Sequence, residues 1–97
     1  MSVIQLNDNN FNEEIAHGIT MVDFYADWCG PCKMFSPVIE EFSQDSTIKV
    51  GKLNVDQAQQ TAMKYNVMSI PTVIIFKDGQ PVKTQVGFVP KEQLEAM

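Results

Sequence analysis

Apolar residues along this chain switch spacing, from alternate positions to every third or fourth and back again, which predicts strands interleaved with helices. Val3 to Leu6 alternates weakly and predicts a short strand, while Asp8-Asn9-Asn10 offers a helix cap before Phe11 and Ile15, four apart, with Gly18 as the stop. Thr20 to Tyr25 is β-favouring and apolar on both faces except at Asp23, the pattern of a central strand covered from both sides. Beyond it, Phe35, Val38, Ile39 and Phe42 form the inward stripe of a helix. Pro37 lies within that stripe, where it removes one backbone hydrogen bond and crowds the Lys33 carbonyl, so a kink is expected without a break.

The second half repeats the alternation. Ile48 to Val55 predicts a strand, Asp56 a helix cap, and Ala58, Ala62 and Tyr65 the buried side of a short helix closed by Asn66. Thr72 to Phe76 is the strongest strand pattern, and Asp78-Gly79 predicts a hairpin turn into Pro81 to Val86, making those two strands antiparallel neighbours. A last helix starts at Pro90, with Leu94 and Met97 on one side, and is too short to stand alone. Right-handed crossovers then give an α/β fold: a mixed five-stranded sheet flanked by four helices, the last one short.

Composition narrows the function. Ninety-seven residues with 44% apolar content suit one domain, expected to span 1–97, and neither repeat nor linker interrupts it. Twelve acidic residues against seven basic ones, all lysine, leave a net charge of -5 and no arginine to grip phosphate, which argues against nucleic acid as a partner. No apolar run reaches the length of a membrane span, and the first residues lack the basic start and apolar stretch of a secretion signal, so the expectation is a cytoplasmic protein without a membrane partner.

Against that background the two cysteines, three apart in Trp28-Cys29-Gly30-Pro31-Cys32, point to redox chemistry or metal binding instead of a structural staple. At the junction of strand and helix the Cys29 sulfur lies near unpaired backbone donors and the positive end of the helix dipole, which favour thiolate over thiol. Cys32, one turn further on the same face, is spaced to form a disulfide with it, so one sulfur can attack and the other resolve. Gly30 allows close approach of another chain, and Pro31 stiffens the first turn at little cost. Zinc ribbons, haem attachment and iron-sulfur sites share the C-x-x-C spacing. Here no third cysteine exists, the single histidine, His17, lies near the first helix, and none follows Cys32, leaving either a metal shared between two chains or redox work.

The run Val22-Asp23-Phe24-Tyr25-Ala26-Asp27-Trp28-Cys29-Gly30-Pro31-Cys32-Lys33, with Ile70-Pro71-Thr72 later, resembles the thioredoxin family nearly end to end. The resemblance implies the thioredoxin fold, a low thiol pKa at Cys29, a strongly reducing pair, and a protein-disulfide reductase whose Cys32 resolves the mixed disulfide. It also implies disulfide-containing protein substrates, no bound cofactor, a monomer, and recycling by a thioredoxin reductase, either an NADPH-dependent flavoprotein or a ferredoxin-linked form. Two rivals stay open: a disulfide donor or isomerase, against which Gly30-Pro31 argues because those relatives usually carry histidine beside the second cysteine, and a docking module whose thiols are incidental.

Around the motif, burial alone predicts a raised proton affinity for Asp23, which could shuttle protons or simply reach solvent. The resemblance assigns it the proton of Cys32 during resolution, with or without an intervening water, so that Asp23→Asn slows product release and spares the first attack. The resemblance sets Lys52 near that carboxyl, where it could tune it or be a surface lysine. The Ile70-Pro71 bond is expected trans on general grounds, whereas the resemblance implies cis, opposite the cysteines, with the Ile70 backbone free to pair with an extended substrate. The resemblance also places Met68, Ile70, Val86, Gly87 and Phe88 around Trp28, where they would form an apolar collar for protein segments, or pack as ordinary loops. Tyr25 replaces the tryptophan of many relatives, a change expected to affect packing more than reactivity. Gly79 serves its turn, and His17 receives no role.

Overall fold

The computed structural model describes residues 2–97, so Met1, inside the expected domain, lies outside the described residues. Five strands, β1 (Ile4–Leu6), β2 (Ile19–Tyr25), β3 (Lys49–Asn54), β4 (Thr72–Lys77) and β5 (Gln80–Val86), form one sheet in the order β1-β3-β2-β4-β5. Four helices, α1 (Phe11–Glu14), α2 (Gly30–Asp45), α3 (Gln59–Lys64) and the short α4 (Lys91–Glu95), complete the architecture. β1, β3 and β2 run parallel, while β4 and β5 pair antiparallel, as the Asp78-Gly79 turn requires. Both turn residues have positive φ, 49° and 87°, the conformation of a tight two-residue hairpin. Pro81 sits in β5, an edge strand, where a missing N–H costs no ladder bond on the open side.

Alternation along β2 sends successive side chains to two separate cores. Val22 and Phe24 join Phe11, Ile15, Leu53, Ile74 and Phe76 on the face that α1 and α3 cover. Met21 joins Phe35, Ile39, Phe42, Val73, Ile75 and Leu94 on the other, covered by α2 and α4. Asp23 follows the parity of Met21 and so faces α2, where it is 3% exposed. That placement makes the ionisable residue of the central strand a neighbour of the helix bearing the cysteines.

Several helix ends differ from the sequence expectation. Asp56 caps nothing: α3 begins after Ala58, and the side chain that serves its first turn is Asp8, whose Oδ1 accepts the N–H and hydroxyl of Thr61 at 3.0 and 2.7 Å. These bonds hold the Asp8 carboxyl below its usual range. Asn10 is the N-cap of α1, as the sequence run predicts, but makes no side-chain bond to the helix; the turn before it is tied by a reciprocal pair, in which Asn7 Oδ1 accepts from the Asn9 and Asn10 N–H groups and Asn10 Oδ1 accepts from that of Asn7. α1 closes within a single turn at Ile15. α2, by contrast, runs through Pro37 unbroken for 16 residues, because its buried stripe of Phe35, Ile39 and Phe42 anchors both sides of the proline. Val3, Ile48 and Val55 flank their strands without joining them.

Candidate active site

The parallel strands β2 and β3 end at the same edge of the sheet, and the chain leaving β2 reaches α2 in four residues, Ala26 to Cys29. Cys29 is the N-cap of α2, with extended backbone at φ -86° and ψ 113°, and its Sγ accepts the Cys32 N–H at 3.2 Å. A capping atom normally takes up one of the orphan donors of a first helical turn; here that atom is sulfur, which gains most from the arrangement as an anion. Pro31 occupies that same first turn, where it has no bond to lose. Cys29 and Cys32 are joined in a disulfide with 5.2 Å between their Cα atoms, and both are 4% exposed.

Opposite the sulfurs lies the segment before β4. The Ile70-Pro71 bond is cis, which residue statistics alone would not have given and the resemblance did. The Ile70 carbonyl oxygen stands 3.9 Å from Cys29 Sγ. Pro71 is held in turn by its own carbonyl, which accepts the Gly87 N–H at 2.8 Å, so the loop after β5 and the loop before β4 form one rim. Around that rim Trp28 is 70% exposed, Met68 91%, Val86 57% and Phe88 47%. Gly87 and Ile70 are half-buried between them. Phe88 also packs its ring 5.5 Å from that of Phe35, so part of its role is ordinary packing. Exposed apolar surface therefore borders the disulfide and is open to solvent.

Trp28 is fixed by a contact that sequence reasoning assigned elsewhere. Its Nε1 donates to Asp56 Oδ2 at 2.8 Å. Its place in the sequence predicts a helix cap, yet the pairing of β2 with β3 carries Asp56 out beside Trp28, a position that only the β2–β3 register signals.

Behind the motif, Asp23, Cys32 and Lys52 line a cleft of about 460 Å³ that Tyr25, Ala26, Asp27, Lys33 and Ser36 complete. Burial raises the Asp23 carboxyl to about 7, and the nearby Lys52 charge pulls it partly back. Among the described residues its Oδ1 has no hydrogen-bond partner, which adds to the cost of ionising it there. A larger groove, about 650 Å³, opens among Ile19, Phe42, Val82 and Leu94 and reaches neither cysteine. Among the described residues no three His, Cys, Asp or Glu side chains gather as metal ligands, and His17 is exposed near the end of α1, away from the site.

The family model described as Thioredoxin matches residues 2–97. The chain is 48% identical over 99 aligned positions to the thioredoxin of Bacillus subtilis (strain 168), covering 100% of this chain and 95% of that protein. It is 53% identical over 96 positions to the thioredoxin of Staphylococcus haemolyticus (strain JCSC1435), covering 97% of this chain and 92% of the relative.

Proposed function

The chain belongs to the thioredoxin family, and from that membership together with the capped sulfur of Cys29 we propose that it is a protein-disulfide reductase. The observation that carries this reading is the position of Cys29 as the N-cap of α2, with its disulfide partner one turn inside the helix.

In the reduced protein the Cys29 thiolate attacks one sulfur of a substrate disulfide. A Cys29–substrate bond forms, the substrate S–S bond breaks, and one substrate thiolate leaves. Cys32 then attacks Cys29 Sγ, its proton passing to Asp23, and the second substrate thiolate departs. Two electrons have moved from the cysteine pair to the substrate, leaving Cys29–Cys32 oxidised. Asp23 suits the proton because its affinity near neutrality lets it bind and release one within the working range. Lys52, opposite it on β3, tunes that affinity.

The collar provides for substrate. Trp28, Met68, Gly87 and Phe88 offer apolar contact, and the Ile70 backbone offers a hydrogen-bonding edge to an extended segment, with Pro71 and the Gly30-Pro31 turn fixing the approach. A thioredoxin reductase, NADPH-dependent or ferredoxin-linked, returns the pair to dithiol. No cofactor is bound by the chain itself. We read the protein further as a monomer of one domain acting in the cytoplasm, where a reducing pool keeps such pairs cycling. None of the described helices is long and apolar enough to cross a membrane.

The decisive assay is reduction of insulin disulfides with dithiothreitol as electron source. Cys29→Ser is expected to abolish catalysis, and Cys32→Ser to accumulate a mixed disulfide through Cys29 visible by mass spectrometry. Retention of the parent rate by Cys29→Ser would overturn the assignment.

A further inference from the structure

A row of side chains crosses the sheet beside the cleft, and the catalytic cycle leaves part of it without a task. The register sets Gln5 of β1 against Lys52 of β3, and Lys52 against Asp23 of β2, so the three side chains share one face. Tyr25, two residues beyond Asp23, shares it as well. A lysine directly opposite an aspartate is placed to pair with it, yet among the described residues Lys52 forms no ion pair. Its ammonium instead stands 5.5 Å from the centroid of the Tyr25 ring. The far end of that ring is tied to the edge strand, since Gln5 Nε2 donates to the Tyr25 hydroxyl at 3.2 Å and lies 3.4 Å from the Lys52 carbonyl oxygen.

We propose that Tyr25 is a positioning residue for the resolving step: its ring holds the Lys52 ammonium beside the Asp23 carboxyl and out of contact with it, so that Asp23 remains a proton acceptor and not a fixed ion-pair partner. The proposal rests on the reading of Asp23 as the acceptor of the Cys32 proton. The other groups facing this carboxyl are Cys32 and Lys33 from α2 and Asp27 from the loop before it, with Val73 of β4 opposite as an apolar wall. Lys33 and Asp27 are exposed, which leaves Lys52 as the cation whose position the interior feels most. Burial lifts the affinity of Asp23 and the Lys52 charge lowers it, so drawing the ammonium closer lowers it further. At an effective dielectric of about 20, closing a separation beyond ion-pair range to about 4 Å moves such a titration by on the order of one pH unit.

The test is a carbon-13 NMR titration of the Asp23 carboxyl in the oxidised full chain. Tyr25→Leu is expected to lower the midpoint by about one pH unit, and Tyr25→Phe, which keeps the ring, by less than half as much. Lys52→Met is expected to raise it, and Tyr25→Leu combined with Lys52→Met to match Lys52→Met alone. A midpoint unchanged or raised in Tyr25→Leu, or a Tyr25→Leu shift that persists without Lys52, overturns the proposal. If Tyr25→Leu is too unstable to titrate, Tyr25→Met, closer in volume and ringless, carries the same expectations. A pH profile for resolution of a trapped mixed disulfide separates the two readings: it follows the NMR midpoints if Asp23 takes the proton. A profile that ignores them overturns the role of Asp23, whereas the midpoints alone decide Tyr25.

Discussion

Asp23 makes the stability of this fold depend on pH in a direction opposite to that of most carboxylates. The unfolded chain ionises it near 3.8, whereas in the folded chain burial holds the proton until about 7. Between those values the folded protein binds more protons at this position than the unfolded one, so its contribution to stability falls as pH rises from about 4 to about 7 and is level on either side. Once ionised at both ends, the carboxyl costs the folded state about 4 kcal/mol, a large share of the roughly 5 to 15 kcal/mol that holds a domain together. Asp23→Asn removes the titration and keeps the shape. The difference in unfolding free energy between variant and parent is therefore expected to grow in favour of the variant by up to about 4 kcal/mol between pH 4 and pH 8. Guanidinium chloride unfolding of the oxidised proteins, followed by circular dichroism across that range, measures it directly. If the two proteins keep a constant difference, to within about 1 kcal/mol, the carboxyl is not held neutral by burial and the reasoning fails.

Two further outcomes follow from packing and from the rim. Gly51→Ala would set a Cβ 2.5 Å from Leu6 Cδ1 and 3.3 Å from the Ile4 carbonyl oxygen, so Leu6, 2% exposed, must shift within a packed core. A loss of about 1 to 3 kcal/mol is expected, with faster hydrogen exchange in β1; an unchanged unfolding midpoint would contradict it. Asp56→Ala frees the indole of Trp28, the chain's one tryptophan, so fluorescence anisotropy should fall and the KM for a protein disulfide rise roughly two- to five-fold at nearly constant kcat. A lowered kcat at constant KM would place Asp56 in the chemistry instead.

Strands and cores were legible because their signals are local. The apolar run of Thr20 to Tyr25, its lone Asp23 and the Asp78-Gly79 turn each announce a structure within a few residues, and the sheet assembles as they imply. The Cys29 cap was legible for the same reason, since a strand running into a helix fixes what a residue at the joint must do. Side chains that act at long range were not. Asp8 reads as a cap for the helix that follows it, yet it serves Thr61, and Asp56 reads as a cap yet holds Trp28. A short acidic side chain caps whatever backbone is brought to it, and only the pairing of β1, β3 and β2 decides which. Tyr25, expected to matter for packing more than for reactivity, takes its further contacts from Gln5 and Lys52 on two other strands. The cis bond before Pro71 came from kinship and not from the dipeptide, whose intrinsic preference is trans.

The two sulfurs look onto different openings. Cys29 lies against the Ile70 carbonyl beneath the rim, whereas Cys32 lines the hollow shared with Asp23 and Lys52, which no rim residue among Trp28, Met68, Ile70 and Phe88 borders. A large client can therefore blanket the front entrance without corking the back door. On the proposed cycle hydrogen ions then keep their own exit, and tight embrace of a client need not stall its release.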